Sequence, residues 1–277
     1  MSESALPEPE IPTLSAPFYN VDGVRNLRDI GGYDIPNAPT GTTTRKNFIY
    51  RSARVSSITP AGSKTLVSDL GIKTIYDLRS ASEVSKNGAP DIPGATVLAT
   101  PVFQDGVDKS SPEKLALRYR LDAENESPAV AFARAYSHFL IDGADAFRTV
   151  FTHIRDQPTS PFLIHCAGGK DRTGVLAALM LRVAGVTDDE IIGKEYELTE
   201  VGMQGLREHS IQSLLKNPAF QNNRAGVEMM VTCKAASMIE FLKLVDGRYG
   251  SADGYLKEQL GFGEEDVEKI RANLRSG

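Results

Sequence analysis

Cysteine is scarce in this chain, which has only Cys166 and Cys233 among its 277 residues. Two thiols cannot build the network of bridges that stabilises a small secreted domain, so a disulfide-rich fold is excluded. The same scarcity favours a reducing compartment, and we expect a cytoplasmic protein. Apolar runs are short throughout, and none approaches the roughly 20 residues that cross a bilayer, which predicts no integral membrane segment.

Basic charge is not in excess either, since 31 Lys and Arg residues face 36 Asp and Glu residues and the net charge is −5. A chain of this charge has no general attraction to nucleic acid or to an anionic membrane, so nucleic acid is not an expected partner. His138 and His153 lack Cys or carboxylate partners at metal-ligand spacing. We therefore predict neither a metal nor a cofactor.

The overall composition is that of an ordinary globular protein, with 41% hydrophobic and 24% charged residues. Residues 1–20 are rich in Pro, Glu and Ser and have no periodic apolar face, which predicts a disordered or extended tail. No internal repeat or linker divides the remainder, so residues 21–277 are predicted to form one domain.

Apolar periodicity predicts strands and helices along the whole chain. One helix begins after Thr59, a good N-cap residue, with Pro60 at its first position. Strands are predicted at residues 72–80 and 95–103, and the first ends in charged residues, where an open α/β sheet binds its ligands. Further helices are predicted at residues 111–121, 128–141, 145–154, 188–200, 206–215, 231–245, 254–260 and 264–274.

One stretch carries the chemistry, the sequence PFLIHCAGGKDRTG at residues 161–174. Its apolar start predicts a buried strand, a loop with two glycines follows, and a helix begins near Thr173. Gly168 and Gly169 permit backbone conformations that a Cβ would penalise. A loop that closes onto a helix N-terminus can turn successive N–H groups inward, which predicts an anion-binding site.

The side chains of this loop favour phosphate chemistry. Arg172 can offer a planar fork to two phosphate oxygens. The positive field of the loop favours ionisation of Cys166 to a thiolate, which is a nucleophile aimed at a bound phosphorus atom. The residues predicted to bind the phosphate are Ala167, Gly168, Gly169, Lys170, Asp171 and Arg172.

The same stretch resembles the P-loop of cysteine-dependent protein tyrosine phosphatases, whose signature is Cys-x5-Arg-Thr. NLRDIGGY at residues 26–33, DLRS at 77–80 and YELT at 196–199 resemble a subgroup of that family with bacterial and fungal members. The resemblance spans residues 21–274. It implies an α/β fold, with a tyrosine-phosphatase-like central sheet flanked by helices and a helix-rich C-terminal half.

The resemblance also implies an activity: hydrolysis of phosphomonoesters through a phosphocysteine at Cys166, with a phosphotyrosine protein as the expected substrate and dual specificity as an extension. His165 is expected to hold the loop and help keep Cys166 ionised, and Thr173 to donate its hydroxyl to the thiolate. Asp77 and Arg79 are interpreted as an internal ion pair that holds the loop rather than as direct catalysts.

The proton donor for the leaving group is ambiguous in the sequence. Asp171 stands where ordinary tyrosine phosphatases have a small or neutral residue, and the Asp-Arg-Thr ending resembles the loops of myotubularin-type and Sac-type phosphoinositide phosphatases. Repulsion from a bound phosphate favours the protonated form of such a carboxyl, which suits an acid. Asp105, on a turn upstream of the loop, is the alternative by position. We favour Asp171.

Other substrates and other classes remain open. The run around Lys170 resembles the loop of the tumour-suppressor phosphoinositide phosphatase, so a phosphoinositide is the second candidate substrate. A phospho-ligand binding module without turnover is expected to lose Cys166 or Arg172, and both are present. A rhodanese-like sulfurtransferase also uses a cysteine loop, but the motifs around this loop fit a phosphatase better.

Overall fold

The computed structural model describes residues 10–104, 127–216, 218 and 220–276. Their architecture is mixed α/β: a five-stranded sheet in the order β1-β3-β6-β4-β5, flanked by helices, with a small two-stranded ribbon of β2 and β7 beside it. The first pair of the large sheet, β1 with β3, is antiparallel, and the other pairs are parallel. The strands are β1 (Arg28–Asp29), β2 (Thr43–Thr44), β3 (Ile49–Ser52), β4 (Thr74–Asp77), β5 (Thr96–Ala99), β6 (Phe162–His165) and β7 (Arg275–Ser276).

Helices make up most of the second half of the chain, as the resemblance implied. None of those in the described ranges combines the length and apolar character that a bilayer crossing needs. The helices are α1 (Pro60–Lys64, continued by one π turn at Thr65–Asp69), α2 (Ala81–Asn87), α3 (Pro128–Asp142), α4 (Ala144–Asp156), α5 (Asp171–Ala184), α6 (Asp189–Gly202), α7 (Arg207–Leu215), α8 (Arg224–Met230), α9 (Ala235–Tyr249), α10 (Ala252–Glu258) and α11 (Glu264–Asn273).

Two hydrophobic cores pack against the sheet, and strand β6 serves both. Phe162 and Ile164 belong to the larger core, with the long helices, whereas Leu163 between them belongs to the smaller core. Successive side chains of a strand point to opposite faces, so a strand covered on both sides must be apolar at every position. This explains why the continuous apolar run at residues 162–164 forms the central strand of the sheet.

Most element predictions are confirmed, including the start of α1, where Thr59 Oγ1 accepts the N–H of Gly62 at 3.1 Å. The helix predicted at residues 231–245 is wrong at its start. Helix α8 ends at Met230 and α9 begins at Ala235, with Lys234 extended between them. Glu200 of α6 accepts the N–H of Cys233 at 2.9 Å, a tertiary contact that outweighs the local preference for helix.

The predicted strands at residues 72–80 and 95–103 are both shorter than expected, since the paired parts are Thr74–Asp77 and Thr96–Ala99. The helix predicted at residues 111–121 lies outside the described residues. The predicted tail lies partly outside them too. Within the described part, Leu14 and Asn20 exchange two hydrogen bonds, and Phe18 is buried beside Arg28 at the sheet edge. The division between tail and domain stays a prediction.

Candidate active site

The loop of residues 166–170 leaves the carboxyl end of β6 and enters helix α5 at Asp171. Strand β6 lies between β3 and β4 and is parallel to both, so three strand ends meet at this loop. Cys166, the first residue after the strand, is 2% exposed. The sheet therefore places the loop at the edge where open parallel sheets bind ligands.

The carbonyl groups of the loop are bound by the surrounding scaffold. Ala167 O accepts the Arg54 N–H at 3.0 Å, and Gly169 O accepts Nη2 of Arg51 at 2.7 Å. Across the described chain, the N–H groups of residues 167–172 donate to no other protein group. In a trans peptide group, the C=O of one residue and the N–H of the next residue point in opposite directions. Because the scaffold holds these carbonyls on the outside of the loop, the N–H groups that follow them face the inside. This is the arrangement of an anion-binding nest.

Gly169 is required at its position. Its φ is +64°, and a Cβ there would lie 2.2 Å from Ser52 O, so the loop passes against strand β3 more closely than any side chain allows.

Arg172 is fixed by a carboxylate that the sequence interpretation did not assign. Glu83 accepts Nη1 at 2.5 Å and Nη2 at 2.8 Å, while Leu78 O accepts Nη1 at 3.4 Å. Burial by itself would lower the pKa of Arg172, but the hydrogen bonds and charge of Glu83 raise it above its ordinary value. The Nε–H and one Nη2 proton remain as a fork for a phosphate.

Glu83 is held in turn by the start of helix α2. Ser80 Oγ accepts the Glu83 N–H at 3.3 Å, and Glu83 Oε2 accepts the Ser80 N–H at 2.9 Å. This is a capping box, a pattern that Ser-x-x-Glu signals in a sequence. The start of α2 could thus have been predicted from Ser80 and Glu83, but the contact of Glu83 with Arg172 could not.

Asp77 and Arg79 form an ion pair at the carboxyl end of β4, with Nη2 of Arg79 2.7 Å from Oδ2 of Asp77. Their role in holding the loop stays a prediction. His165 lies beside them, its Nδ1 3.8 Å from Oδ1 of Asp77 and 3.2 Å from Cys166 O. Burial lowers the pKa of His165. Thr173 Oγ1 is buried and, within the described residues, forms no hydrogen bond, so its donation to Cys166 stays a prediction.

Asp171 is anchored through one carboxylate oxygen. Its Oδ1 accepts the Tyr136 hydroxyl at 2.6 Å and lies 3.3 Å from Nζ of Lys170. The Tyr136 and Tyr196 hydroxyls are 2.6 Å apart. Oδ2 has no hydrogen bond to the described residues, and the side chain is about one third exposed. Asp105, the alternative acid, lies outside the described residues.

Lys170 directs its ammonium away from the loop centre. Nζ donates to Met230 O at 2.7 Å and to Thr232 O at 3.0 Å, and it lies 4.7 Å from the centre of the Phe132 ring. The predicted contact of this side chain with a phosphorylated head group stays a prediction. Its backbone N–H remains part of the loop.

A cleft of about 610 Å³ lies next to the loop. Asp171 forms part of its wall, together with the apolar side chains of Met203 and Leu206 and the cations of Arg207 and Lys234. Its lining is more apolar than polar, which suits an organic group attached to a bound phosphate.

Comparison with known proteins agrees with this geometry. The model of the tyrosine phosphatase family matches residues 19–276. The triple specificity protein phosphatase PtpB of Mycobacterium tuberculosis is 27% identical over 281 residues, which cover 91% of this chain and 97% of that protein. A tyrosine-protein phosphatase of Nostoc commune is 28% identical over 228 residues, which cover 81% and 73% of the two chains. The chain belongs to the tyrosine phosphatase family and is a phosphomonoester hydrolase of that type.

Proposed function

We propose that Cys166 is the nucleophile and Arg172 the phosphate ligand of a protein tyrosine phosphatase. One observation carries the proposal: the N–H groups of residues 167–172 are unpaired in the described chain and lie between a buried cysteine and an arginine whose fork is partly free. Such donors stabilise the charge on the equatorial oxygens of the transition state. We assign the support of the loop to His165, whose Nδ1 lies 3.2 Å from Cys166 O, and to the Asp77–Arg79 ion pair beside it.

The reaction proceeds in two displacements. The Cys166 thiolate attacks phosphorus, so that an S–P bond forms while the bond to the leaving oxygen breaks. Asp171 gives that oxygen a proton, and the carboxylate oxygen without a described partner, Oδ2, is the one available for it. Water then attacks the phosphocysteine and gives a proton back to Asp171. The S–P bond breaks, which releases inorganic phosphate and restores the thiolate.

Phosphotyrosine proteins are the proposed substrates, and the partly apolar cleft beside the loop supports an aromatic leaving group. The name of the mycobacterial relative supports a range wider than tyrosine. A phosphoinositide is the second candidate, because Arg207 and Lys234 line the same cleft and can face further phosphates. A free thiol at the nucleophile supports the cytoplasmic location expected from the cysteine content.

A substrate panel tests the proposal. The wild type and Cys166→Ser are compared on a phosphotyrosine peptide, a phosphothreonine peptide and phosphoinositide vesicles, with released phosphate as the readout. We expect the highest kcat/KM on the phosphotyrosine peptide and no turnover by Cys166→Ser on any substrate. Turnover that survives the substitution would contradict the covalent mechanism, and a preference for vesicles would select the phosphoinositide.

A further inference from the structure

Three charged side chains lie buried beneath the phosphate loop. Glu195 of helix α6 places Oε1 2.8 Å from Nε of Arg28 and Oε2 2.5 Å from Nη1 of Arg51. The two arginine side chains are 0% exposed, and that of the glutamate is 2% exposed. Burial and the neighbouring Arg51 lower the pKa of Arg28 to about 10, which leaves it charged at neutral pH. Burial by itself would raise the pKa of Glu195, but Arg28 and Arg51 hold it below its ordinary value.

Two routes connect this triad to the loop. In the first, Arg51 donates from Nη1 to Glu195 and from Nη2 to Gly169 O at 2.7 Å. In the second, Arg28 Nη1 donates to Asn26 Oδ1 at 2.5 Å, and Nδ2 of Asn26 then donates to Gly168 O at 3.2 Å. The Asn26 Nδ2 also lies 3.4 Å from Gly169 O. Both routes end on carbonyls whose peptides carry inward-facing N–H groups.

Asn26 lies buried between the loop and helix α6. It has a φ of 59°, in the left-handed region that asparagine adopts more readily than other residues with a side chain, and it is 2% exposed. It also lies against α6, where a Cβ on Gly202 would be 2.0 Å from Asn26 Oδ1.

Stability alone does not account for such a triad. Well-packed apolar side chains of similar volume are often as stabilising as a buried ion pair or more so, because desolvation offsets most of the attraction. Apolar side chains could not, however, bind the two loop carbonyls. Because a peptide group is planar, a bound C=O also fixes the N–H of the next residue. The bound carbonyls of Gly168 and Gly169 therefore fix the N–H groups of Gly169 and Lys170.

We propose that Asn26 and Arg51 are positioning residues, held by Glu195 and Arg28, which aim the N–H groups of Gly169 and Lys170 at the phosphate of the substrate. The inference rests on the proposed function, since it assigns a task within the same loop. It also gives one physical role to three segments that are far apart in the sequence: the start of the motif at residues 26–33, strand β3 with Arg51, and the part of α6 around Glu195.

The test uses Asn26→Asp and Arg51→Met. Aspartate keeps the shape of Asn26 and its contact with Arg28 but has no N–H for Gly168 O, and methionine removes the bridge from Glu195 to Gly169. Each variant is assayed with an aryl phosphate for kcat and with vanadate for the inhibition constant. We expect kcat to fall and the inhibition constant for vanadate to rise, each by about tenfold to 100-fold. The circular dichroism spectrum should stay like that of the wild type.

The matched control is Arg271→Met. Like Arg51, Arg271 bridges a carboxylate and a main-chain carbonyl, those of Asp253 and Val183, but at the far end of helix α5. This variant is expected to lose thermal stability with an unchanged vanadate constant. If Arg51→Met does not fold, Asn26→Asp decides. A folded Asn26→Asp enzyme with the vanadate constant of the wild type would overturn the inference, whereas a wild type without phosphatase activity would overturn the proposed function instead.

Discussion

Arg172 and Glu83 form a two-point ion pair, with Nη1 2.5 Å from Oε2 and Nη2 2.8 Å from Oε1. The two residues are 89 positions apart, and the sheet brings them together because β4 leads into α2 directly beside β6. The pair holds the guanidinium in one plane before a substrate arrives. Less reorganisation is then needed at the moment of reaction.

Arg172→Lys should therefore be severely impaired although it keeps its charge, because an ammonium can neither donate this two-point contact to Glu83 nor offer a planar fork to the phosphate. We expect kcat/KM on an aryl phosphate to fall by about 100-fold to 1,000-fold. Glu83→Gln, which keeps the shape but loses the charge, should cost about tenfold. Steady-state kinetics of both variants check this order, and an Arg172→Lys enzyme within a few-fold of the wild type would mean that phosphate is bound elsewhere.

Asp171→Asn separates proton donation from loop geometry. If Asp171 is the acid, the substitution should cripple hydrolysis of alkyl phosphates, whose leaving oxygen needs a proton, and cost much less with an activated aryl phosphate. The basic limb of the pH–rate profile should flatten as well. Kinetics on the two ester types measure the effect.

Two controls interpret that result. Tyr136→Phe removes the hydroxyl that donates to Oδ1 of Asp171 and keeps the Asp171 carboxyl, so it should lower kcat equally on both ester types. Asp105→Asn should have little effect. If the leaving-group dependence appeared in Asp105→Asn and not in Asp171→Asn, the acid would be the upstream residue.

Gly169→Ala should destabilise the fold and disturb the loop. The left-handed φ costs an alanine about 1–2 kcal/mol, and the new Cβ would also meet Ser52 O. Gly41→Ala is the matched control, because its φ is +87° and its Cβ would lie in open space. Urea unfolding should show a larger loss for Gly169→Ala. Equal losses would mean that the loop shifts to accommodate the methyl group.

His153 should make stability depend on pH. The buried ring accepts the Tyr76 hydroxyl at 2.9 Å and donates to Ser160 O at 2.8 Å, and burial lowers its pKa. As the pH falls through about 6.5, the unfolded chain binds a proton that the folded chain does not, so the free energy of unfolding decreases. Buried His165 contributes in the same direction.

His153→Gln removes one of the two buried rings whose pKa is lowered, His153 and His165, and glutamine has an acceptor and a donor that can replace those of the ring. Between pH 7.5 and 5.5 it should therefore lose less unfolding free energy than the wild type, as measured by urea titration at each pH. Identical losses in the two proteins would assign the pH dependence to other groups.

The phosphate loop could be predicted from the sequence because its determinants are local. An apolar strand, two glycines and a helix start lie within 14 consecutive residues, 161–174, and their backbone preferences agree with one another. The N-cap at Thr59 was predictable for the same reason, since the cap and the N–H it binds are three positions apart. Family resemblance supplied the arrangement of the sheet that local patterns leave open.

Tertiary structure alone decided what holds the loop. Glu195 lies 167 positions from Arg28 and 144 from Arg51, and no spacing rule connects a carboxylate to a guanidinium at such separations. Tertiary structure also decided the break before α9, where a contact to Glu200 outweighs helical periodicity. It decided the direction of the Lys170 side chain as well, because its ammonium donates to the main-chain carbonyls of Met230 and Thr232. Backbone geometry follows from neighbouring residues where their preferences agree, as in the phosphate loop. The break before α9 and the partners of buried charged groups follow instead from which elements the hydrophobic cores bring together.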